Sequence, residues 1–443
     1  MLKKGMLFLS TLLLIFSCSE SVSSETTSTF KTYGGNYNDF GYNVALTNDG
    51  GYLLVGRSYK ENRQYDAYAT IINSSGTEVG ELTLVDEVNS WDVNDAFSAE
   101  VYDIKGTDDG GFIMVGSKYS STTGWDILLI KIDALGVLDQ SFNNADDDVT
   151  TGYGYVTIDV GSNVDTAGDA NDQNVPSNKD DKGYSIVVND DGSYTVVGIV
   201  QVSASGGYDI YAGKVPENGQ FAGVAGNVFE GEDANYTLVD ATGANGDYDD
   251  FAMEINKTAD GGYIIAGSTR NSSDDSQLLI LELASDLSES SRLTSGESNG
   301  DEYGSSAVQS TDGGYVIAGY TYSQGEGQSD FYIEKKNGIN EFKRVIGGSK
   351  DDKAASISQT SDGGYIVVGS TYSYGNGQSD IMLVKLDEEG NEDWRQTYGG
   401  VSDDFASSVM QTPDGGFVIS GYKLGSMYDA LLIKTNSVGV QEF

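Results

Sequence analysis

One short sequence phrase returns seven times along this chain: an alternating stretch, an Asp-Gly turn, and a second stretch that ends in glycine. Its turn aspartates are Asp49, Asp109, Asp191, Asp260, Asp312, Asp362 and Asp414. Successive turns are 50 to 82 residues apart, so the basic unit is about 50 residues long. A period of this size, made of short strands and tight turns, predicts blades arranged around one axis. We therefore expect one large domain, although 443 residues would otherwise suggest two or three.

The unit that spans residues 351–400 shows the internal pattern most clearly. Four stretches of strand character are separated by polar turns, and no stretch has helical periodicity. The predicted strands are Ala354 to Thr360, Tyr365 to Val368, Ile381 to Leu386 and Trp394 to Tyr398. The Asp362-Gly363 pair between the first two is a strong hairpin signal, because glycine takes positive φ at no steric cost. The sequence thus predicts an all-β fold, a seven-bladed β-propeller with four antiparallel strands in each blade.

The segment Trp394 to Gly421 follows the pattern W-x-x-T-Y-G-G-x-x-x-D-x-A-x-S-V-x-Q-T-x-D-G-G-Y-x-I-x-G almost throughout. In this it resembles the repeats of bacterial extracellular β-propeller lipoproteins, which are related in architecture to kelch-like propellers. The resemblance covers residues 30–443, with elaborated second, third and fourth repeats. It implies the fold and leaves the function open, because propellers host many functions.

The two ends of the chain complement each other. The last repeat stops at Phe443, where the preceding repeat continues with Trp394 and its outer strand. The first repeat opens with Phe30-Lys31-Thr32-Tyr33-Gly34-Gly35, which matches that missing strand. We predict that the N-terminal strand joins the C-terminal blade and removes an exposed sheet edge.

The first 29 residues predict export. Residues 1–17 have a basic start and an apolar stretch too short to span a bilayer, as in a lipoprotein signal peptide. Leu14 to Cys18 resembles a lipobox, which implies lipidation of Cys18 and anchoring to the outer membrane; the alternative is an ordinary cleaved signal. Residues 18–29, nearly all Ser, Thr and Glu, predict a flexible tether and resemble the export signal of surface lipoproteins. The membrane is then a partner only through the lipid anchor.

Charge and composition exclude several classes of function. The chain has 68 acidic and 25 basic residues, a formal net charge of −43, no histidine and a single cysteine. A basic footprint for nucleic acid is absent, and histidine-based or thiol-based catalysis is excluded. Cations, cationic proteins and glycans stay open as partners. We expect a monomer without an organic cofactor.

Carboxylates recur at the start of each predicted innermost strand. They are Asp39, Asp95, Asp181, Asp250, Glu302, Asp352 and Asp404. One interpretation is a negatively charged mouth that binds a cation or a hydroxyl-rich ligand. The other, which we favour for most of them, is that each caps its own turn because the blade itself is repeated. We also expect structural pairing of the aspartates before the third strands with lysines five residues later, such as Asp330 with Lys335.

Residues that differ between blades are more informative about function. Four blades carry a tyrosine three residues after the blade glycine, where it either contacts a ligand or packs on the next blade: Tyr59, Tyr119, Tyr322 and Tyr372. The long insertions are rich in Asp and Asn, and calcium is the one metal for which they offer candidate ligands, Asp165, Asp169 and Asp172. The complete calcium-loop motif is absent from them.

Three functions are compatible with these features. We favour a lipid-anchored binding or scaffold module for a glycan or protein partner, with no catalysis. The second hypothesis is a carboxylate-dependent glycoside hydrolase or lyase, which needs two acids at a defined separation. The third is a calcium-stabilised structural subunit of the cell envelope.

Overall fold

A computed structural model describes residues 30–59, 65–84, 98–120, 124–142, 154–158, 160, 180–201, 207–220, 236–239, 249–270, 275–297 and 300–443. These residues form 28 strands in seven four-stranded antiparallel sheets. Each sheet is one blade, and neighbouring blades contact each other around the whole ring. The prediction of an all-β seven-bladed propeller is confirmed.

The strands occupy equivalent positions from blade to blade. The innermost strands are β2 (Asp39–Leu46), β6 (Ser98–Gly106), β10 (Lys182–Val188), β14 (Phe251–Lys257), β18 (Glu302–Gln309), β22 (Asp352–Gln359) and β26 (Asp404–Gln411). The second strands are β3 (Tyr52–Tyr59), β7 (Phe112–Ser120), β11 (Tyr194–Gln201), β15 (Tyr263–Arg270), β19 (Tyr315–Thr321), β23 (Tyr365–Thr371) and β27 (Phe417–Leu424). The third strands are β4 (Tyr65–Ile72), β8 (Gly124–Ile132), β12 (Tyr208–Val215), β16 (Ser276–Leu283), β20 (Asp330–Lys336), β24 (Asp380–Leu386) and β28 (Tyr428–Thr435). The outermost strands are β1 (Lys31–Tyr33), β5 (Glu78–Thr83), β9 (Tyr155–Ile158), β13 (Tyr236–Val239), β17 (Glu289–Ser295), β21 (Phe342–Ile346) and β25 (Glu392–Tyr398).

The seventh blade takes its outermost strand from the beginning of the chain. Strand β1 pairs antiparallel with β28, and Thr32 lies opposite Leu431. Tyr33 is buried there, and its hydroxyl donates a hydrogen bond to the carbonyl oxygen of Gly76 in the first blade (2.9 Å). In the sixth blade Tyr398 makes the equivalent bond to Gly439 of the seventh (2.6 Å). The N-terminal strand therefore has the same contacts as an ordinary outer strand.

The Asp-Gly turns close the hairpins between the innermost and second strands. In the sixth blade Gly363 has φ of +88°, and its N–H donates to the carbonyl oxygen of Thr360 (2.9 Å). Asp362 accepts a hydrogen bond from the N–H of Gly364 (3.1 Å). Positive φ is the reason that glycine recurs at this point.

The hydrophobic core lies between the blades. The described residues form seven buried apolar clusters, each shared by two neighbouring sheets. The central strands supply most of these side chains, such as Val367 and Val384 in the cluster between the fifth and sixth blades. Each such side chain contributes about 1.5–3 kcal/mol when fully buried, so the ring is stabilised mainly at its blade contacts. No helix in the described part of the chain is long and apolar enough to cross a membrane.

Candidate functional site: the mouth of the central channel

Every innermost strand contains one irregularity in its pairing with the second strand. In β2 it lies between Gly41 and Asn43, and the other six strands have it at the equivalent place. A bulge re-aims the side chains beside it. Here two consecutive residues of each strand line one cavity at the centre of the ring, with a volume of about 700 Å³.

The second residue of each pair forms a belt around the channel. The belt consists of Asn43, Asp103, Ser185, Glu254, Ser306, Ser356 and Ser408. Its members form hydrogen bonds from one blade to the next: Asn43 Nδ2 donates to Asp103 Oδ1 (2.7 Å), and Ser408 Oγ donates to Asn43 Oδ1 (3.0 Å). The Ile357 N–H donates to Ser306 Oγ (3.1 Å). The belt thus holds neighbouring innermost strands together.

Asp103 accepts more hydrogen bonds than any other described member of the belt. Its carboxylate accepts hydrogen bonds from Asn43, from Ser185 Oγ (2.7 Å) and from the N–H groups of Ile104 (2.7 Å) and Ile186 (3.0 Å). It also forms an ion pair with Lys105 Nζ (2.7 Å). Only 2% of Asp103 is exposed. The donors belong to three blades, so the Asp103 carboxylate links these blades by hydrogen bonds. Because both of its oxygens already accept hydrogen bonds from the protein, neither is free for a ligand.

Glu254 is the second acid of the belt, and its surroundings differ. Its Oε2 accepts a hydrogen bond from the Ala307 N–H (3.2 Å), and the Ser306 hydroxyl also bonds to the carboxylate. Burial raises the pKa of Glu254 to about 7; Asp103 adds to the rise, while these hydrogen bonds and Lys105 oppose it. Glu254 is only partly buried and lines the cavity, so its carboxyl group is accessible from the channel.

The first residue of each pair divides the channel mouth into two unlike halves. Blades one to three present an aromatic arc, which we define as Tyr42, Tyr102 and Tyr184. Their rings pack side by side, with centroids 5.4 Å apart for Tyr42 and Tyr102 and 5.2 Å apart for Tyr102 and Tyr184. Blades five to seven present a small-residue wall, Ser305, Ala355 and Ser407, and Met253 lies between the two halves. The space over the small-residue wall faces the aromatic arc.

The tyrosine hydroxyls of the arc stay protonated. Burial raises the pKa of Tyr184 to about 12, and it raises the pKa of Tyr102 further above the ordinary value. Glu100 adds to the rise for both hydroxyls. These groups therefore act as neutral hydrogen-bond donors and acceptors.

Two basic side chains lie on aromatic rings at the rim of the mouth. The guanidinium of Arg57 lies 4.9 Å from the ring centroid of Phe40 and forms an ion pair with Glu100 (2.7 Å). Lys353 Nζ lies 4.6 Å from the ring centroid of Tyr320 and donates a hydrogen bond to the Tyr322 hydroxyl (2.7 Å). The aromatic surface of this rim thus already binds cations of the protein itself.

The four tyrosines predicted from the sequence have different surroundings. Tyr59 packs edge-to-face on Tyr65 and Tyr119 on Trp125, each within its own blade. Tyr372 lines the central cavity. Tyr322 is 45% exposed and contacts Lys353 of the next blade. Of the four, Tyr372 belongs to the lining of the central cavity, and Tyr322 adjoins that lining through Lys353.

The predicted carboxylates at the strand starts are buried wherever the structure describes them. At most 1% of each is exposed: Asp39, Asp181, Asp250, Glu302, Asp352 and Asp404. Asp352 Oδ2, for example, accepts a hydrogen bond from the Gly348 N–H (2.8 Å), and Asp404 Oδ2 accepts one from Gly400 (3.0 Å). Asp404 also pairs with Lys423 (3.1 Å). These contacts fit the structural interpretation, in which each acid holds the turn that precedes its strand.

Some predicted residues fall outside the described part of the chain. They are Cys18, Asp95, Asp165, Asp169 and Asp172. In the second blade Ala99 lies opposite Lys118, and in the seventh blade Asp404 lies opposite Lys423 at the equivalent position of the register. Ala99 therefore occupies the position that the sequence comparison gave to Asp95. Within the described residues, no group of three or more acidic or cysteine side chains is placed to hold a metal ion.

The paired cavity residues were not predicted from the sequence. A signal for them exists: the two residues that follow the small or apolar residue just before each bulge read, from blade one to blade seven, YN, YD, YS, ME, SS, AS and SS. The change from tyrosine to serine or alanine around the ring breaks the repeat. It becomes visible only when the blades are aligned through their bulges.

Comparison with known proteins supports the fold. No protein-family model matches this sequence, and no curated protein matches it. Among solved structures, a puromycin hydrolase mutant complexed with a ligand has a TM-score of 0.52 at 11% identity, covering 94% of this chain and 56% of that one. This likeness concerns the propeller fold alone.

Two carbohydrate-active proteins are similar at lower TM-scores. One is an ulvan lyase bound to its saccharide (TM-score 0.48, 9% identity, covering 91% of this chain and 96% of the lyase). The other is an α-L-arabinanase from Penicillium chrysogenum complexed with arabinobiose (TM-score 0.42, 11% identity, with the same coverages). At these TM-scores neither gives a basis for inferring activity.

Proposed function

We propose that this protein is an exported, lipid-anchored binding module that takes a glycan at the mouth of its central channel. The observation that carries the proposal is the change at the first residue of each pair, which is tyrosine in blades one to three and serine or alanine in blades five to seven, while the lining on that second side takes its aromatic surface from Tyr320, Tyr372 and Phe405. A feature that serves only the scaffold is expected in every blade. The tyrosine arc instead breaks the repeat where a cavity of about 700 Å³ opens, which lies in the size range of ligand sites.

The chemistry of the lining suits a sugar. Aromatic rings provide apolar surface for the faces of sugar rings, and their hydroxyls provide hydrogen bonds. The serines of the belt and Glu254 add donors and acceptors on the floor of the cavity. A loop of a partner protein is the competing occupant, and the experiment below separates the two.

Binding is better supported than catalysis. Glu254, with its pKa near 7, has the acidity of a general acid, and this favours a hydrolase as the second candidate. Glycoside hydrolysis also needs a second carboxylate that can act on substrate or water. Asp103 is the other acid of the belt, and its oxygens already accept four hydrogen bonds and an ion pair. Asp351, the third acid of the cavity lining, already accepts a hydrogen bond from Ser329 Oγ (2.9 Å).

The proposal is tested with a glycan array and variants of the cavity. Ala355→Trp fills the space over the small-residue wall, and Tyr102→Ala removes the centre of the arc. We expect each to lower glycan binding at least tenfold, about 1.4 kcal/mol, because each removes the sugar's contact with the cavity wall or with the centre of the aromatic arc. Val401→Trp, at an exposed position away from the cavity, is the control. Glycan binding that is undiminished in both cavity variants contradicts the glycan proposal. So does a second result, in which the natural protein binds no glycan but captures an envelope protein, and both cavity variants lose that capture.

The anchor and a role for calcium are separate parts of the proposal. Labelling with radioactive palmitate, compared between the natural chain and Cys18→Ser, tests lipidation. A rise in melting temperature with calcium, lost on substitution of Asp165, Asp169 and Asp172, tests the envelope-subunit hypothesis, because a ligand of the native state raises stability by mass action.

A further inference from the structure

We propose that the channel mouth selects glycans that carry free, protonated amino groups, and that Glu254 is the residue that accepts the amine. This inference rests on the proposed glycan-binding function and names the class of glycan. It is carried by the place of Glu254 in the cavity lining, by the absence of a lysine or arginine within 4 Å of its carboxylate among the described residues, and by the aromatic arc in the same lining.

The first step concerns the charges on the floor of the cavity. Lys105 pairs with Asp103. Among the described residues, no lysine or arginine lies within 4 Å of the Glu254 carboxylate, whose contacts are an N–H and a hydroxyl. A ligand ammonium would supply the positive partner that Glu254 lacks, and an ion pair in a partly desolvated site is stronger than one in water.

The second step concerns the aromatic arc. Rings at this mouth already hold positive groups, since Arg57 lies on Phe40 and Lys353 lies on Tyr320. Lys353 also lines the cavity, from the sixth blade, and its ammonium is held there by the Tyr322 hydroxyl and the Tyr320 ring of the fifth blade. On the side of blades one to four, away from Lys353, the cavity is lined by the aromatic arc and the carboxyl group of Glu254, both of which attract an ammonium.

The third step is selectivity between glycans. A net charge of −43 repels uronate and sulfate chains and attracts cationic ones. An N-acetylated amine carries no charge and cannot form the ion pair. Oligomers of glucosamine should therefore bind more tightly than the equally long N-acetylglucosamine or glucuronate oligomers.

Affinity for the amine should also depend on pH. Glu254 must be ionised to pair with an ammonium, so affinity should rise with pH until about 7, the value to which burial raises its pKa. Asp103 and Lys105 of β6 are the charged groups that act on the pKa of Glu254. Asp351 and Lys353 of the sixth blade line the same cavity as charged groups, while Tyr184 of β10 and Ser306 of β18 line it as neutral groups.

The experiment measures binding of short oligosaccharides to the full-length protein by calorimetry at pH 7, with trimers of glucosamine, N-acetylglucosamine and glucuronate. We expect the glucosamine trimer to bind on the order of tenfold more tightly than the other two, as for one charged hydrogen bond. Glu254→Gln should remove this preference, because it should weaken binding of the glucosamine trimer about tenfold more than binding of the N-acetylglucosamine trimer. Glu388→Gln, at an exposed turn, controls for general attraction to an acidic protein.

The outcomes separate the inference from the function on which it rests. Equal affinities for the trimers that still depend on Tyr102 overturn the amine preference and leave glycan binding intact. Loss of the preference in Glu388→Gln as well as in Glu254→Gln assigns it to overall charge and also overturns the inference. Tight binding of a trilysine peptide with no binding of any glycan overturns both proposals.

Discussion

Lys335 Nζ lies 2.8 Å from a carboxylate oxygen of Asp312, the aspartate of the Asp-Gly turn in the fifth blade. The same pairing joins Lys131 to Asp109, Lys385 to Asp362 and Lys434 to Asp414. The sequence had suggested that Lys335 pairs with Asp330 on the same strand, and this was wrong. Residues five apart on a strand point to opposite faces, so their side chains cannot meet.

Loss of the turn carboxylate should destabilise the fifth blade. Asp312→Ala leaves Lys335, which is almost completely buried, without its partner, and we expect the free energy of unfolding to fall by about 1–3 kcal/mol. Lys335→Met should cost less, because methionine fills the same space without a charge. Urea unfolding at pH 7 measures both. Equal costs for the two variants would show that the ion pair itself is unimportant.

The same pair predicts an acid-dependent loss of stability. Burial alone would raise the pKa of Asp312, but hydrogen bonds from Lys335, Ser310 and Gly314 lower it to about 2. A carboxyl group with a lowered pKa in the folded state stabilises the protein above its unfolded pKa, and this contribution is lost as pH falls toward 2. The destabilisation by Asp312→Ala should thus shrink between about pH 4 and pH 2.

A close approach of backbone explains the glycine that ends each repeated phrase. A side-chain carbon added at Gly319 would lie 1.8 Å from the carbonyl oxygen of Tyr303 on the innermost strand. We expect Gly319→Ala to cost about 3 kcal/mol, because the bulge must shift to make room. Gly80→Ala, in an outer strand with no atom within 4 Å, is the control and should be neutral or slightly stabilising. Similar melting temperatures for the two variants would contradict this explanation.

The sequence predicted the fold because its signals are local and repeated. Asp-Gly turns, blade glycines and alternating strands mark the units, and Phe30 to Gly35 marks the missing outer strand. The candidate site was harder to predict because it depends on register. The bulge after Val101 directs Tyr102 and Asp103 into the channel, while nothing in the local pattern distinguishes Asp103 from an ordinary polar strand residue.

The contact of Tyr33 with the first blade can be tested by mutation. Tyr33 packs in the apolar cluster between the seventh and first blades, and its hydroxyl bonds to the carbonyl oxygen of Gly76. Tyr33→Phe should cost about 1 kcal/mol for the lost hydrogen bond. Tyr33→Ala should cost about 3–5 kcal/mol for the cavity as well. Lys31→Ala, at an exposed position of the same strand, is the control, and thermal unfolding is the measurement. A Tyr33→Ala variant as stable as Lys31→Ala would show that this strand contributes nothing to the ring.

Glu254 should make the protein less stable as pH rises, opposite in direction to Asp312. Burial raises its pKa to about 7 from an ordinary value of 4.5, so the folded protein holds this proton more tightly than the unfolded chain. The stabilisation is complete below the unfolded pKa and is lost as pH rises through about 7. Between those values we expect a loss of up to about 3 kcal/mol. Glu254→Gln cannot ionise, so its free energy of unfolding should stay nearly constant over this range and exceed that of the natural protein at pH 8. Parallel stability curves for the two proteins would mean that Glu254 is ionised without cost, and that the channel floor is as well hydrated as the surface.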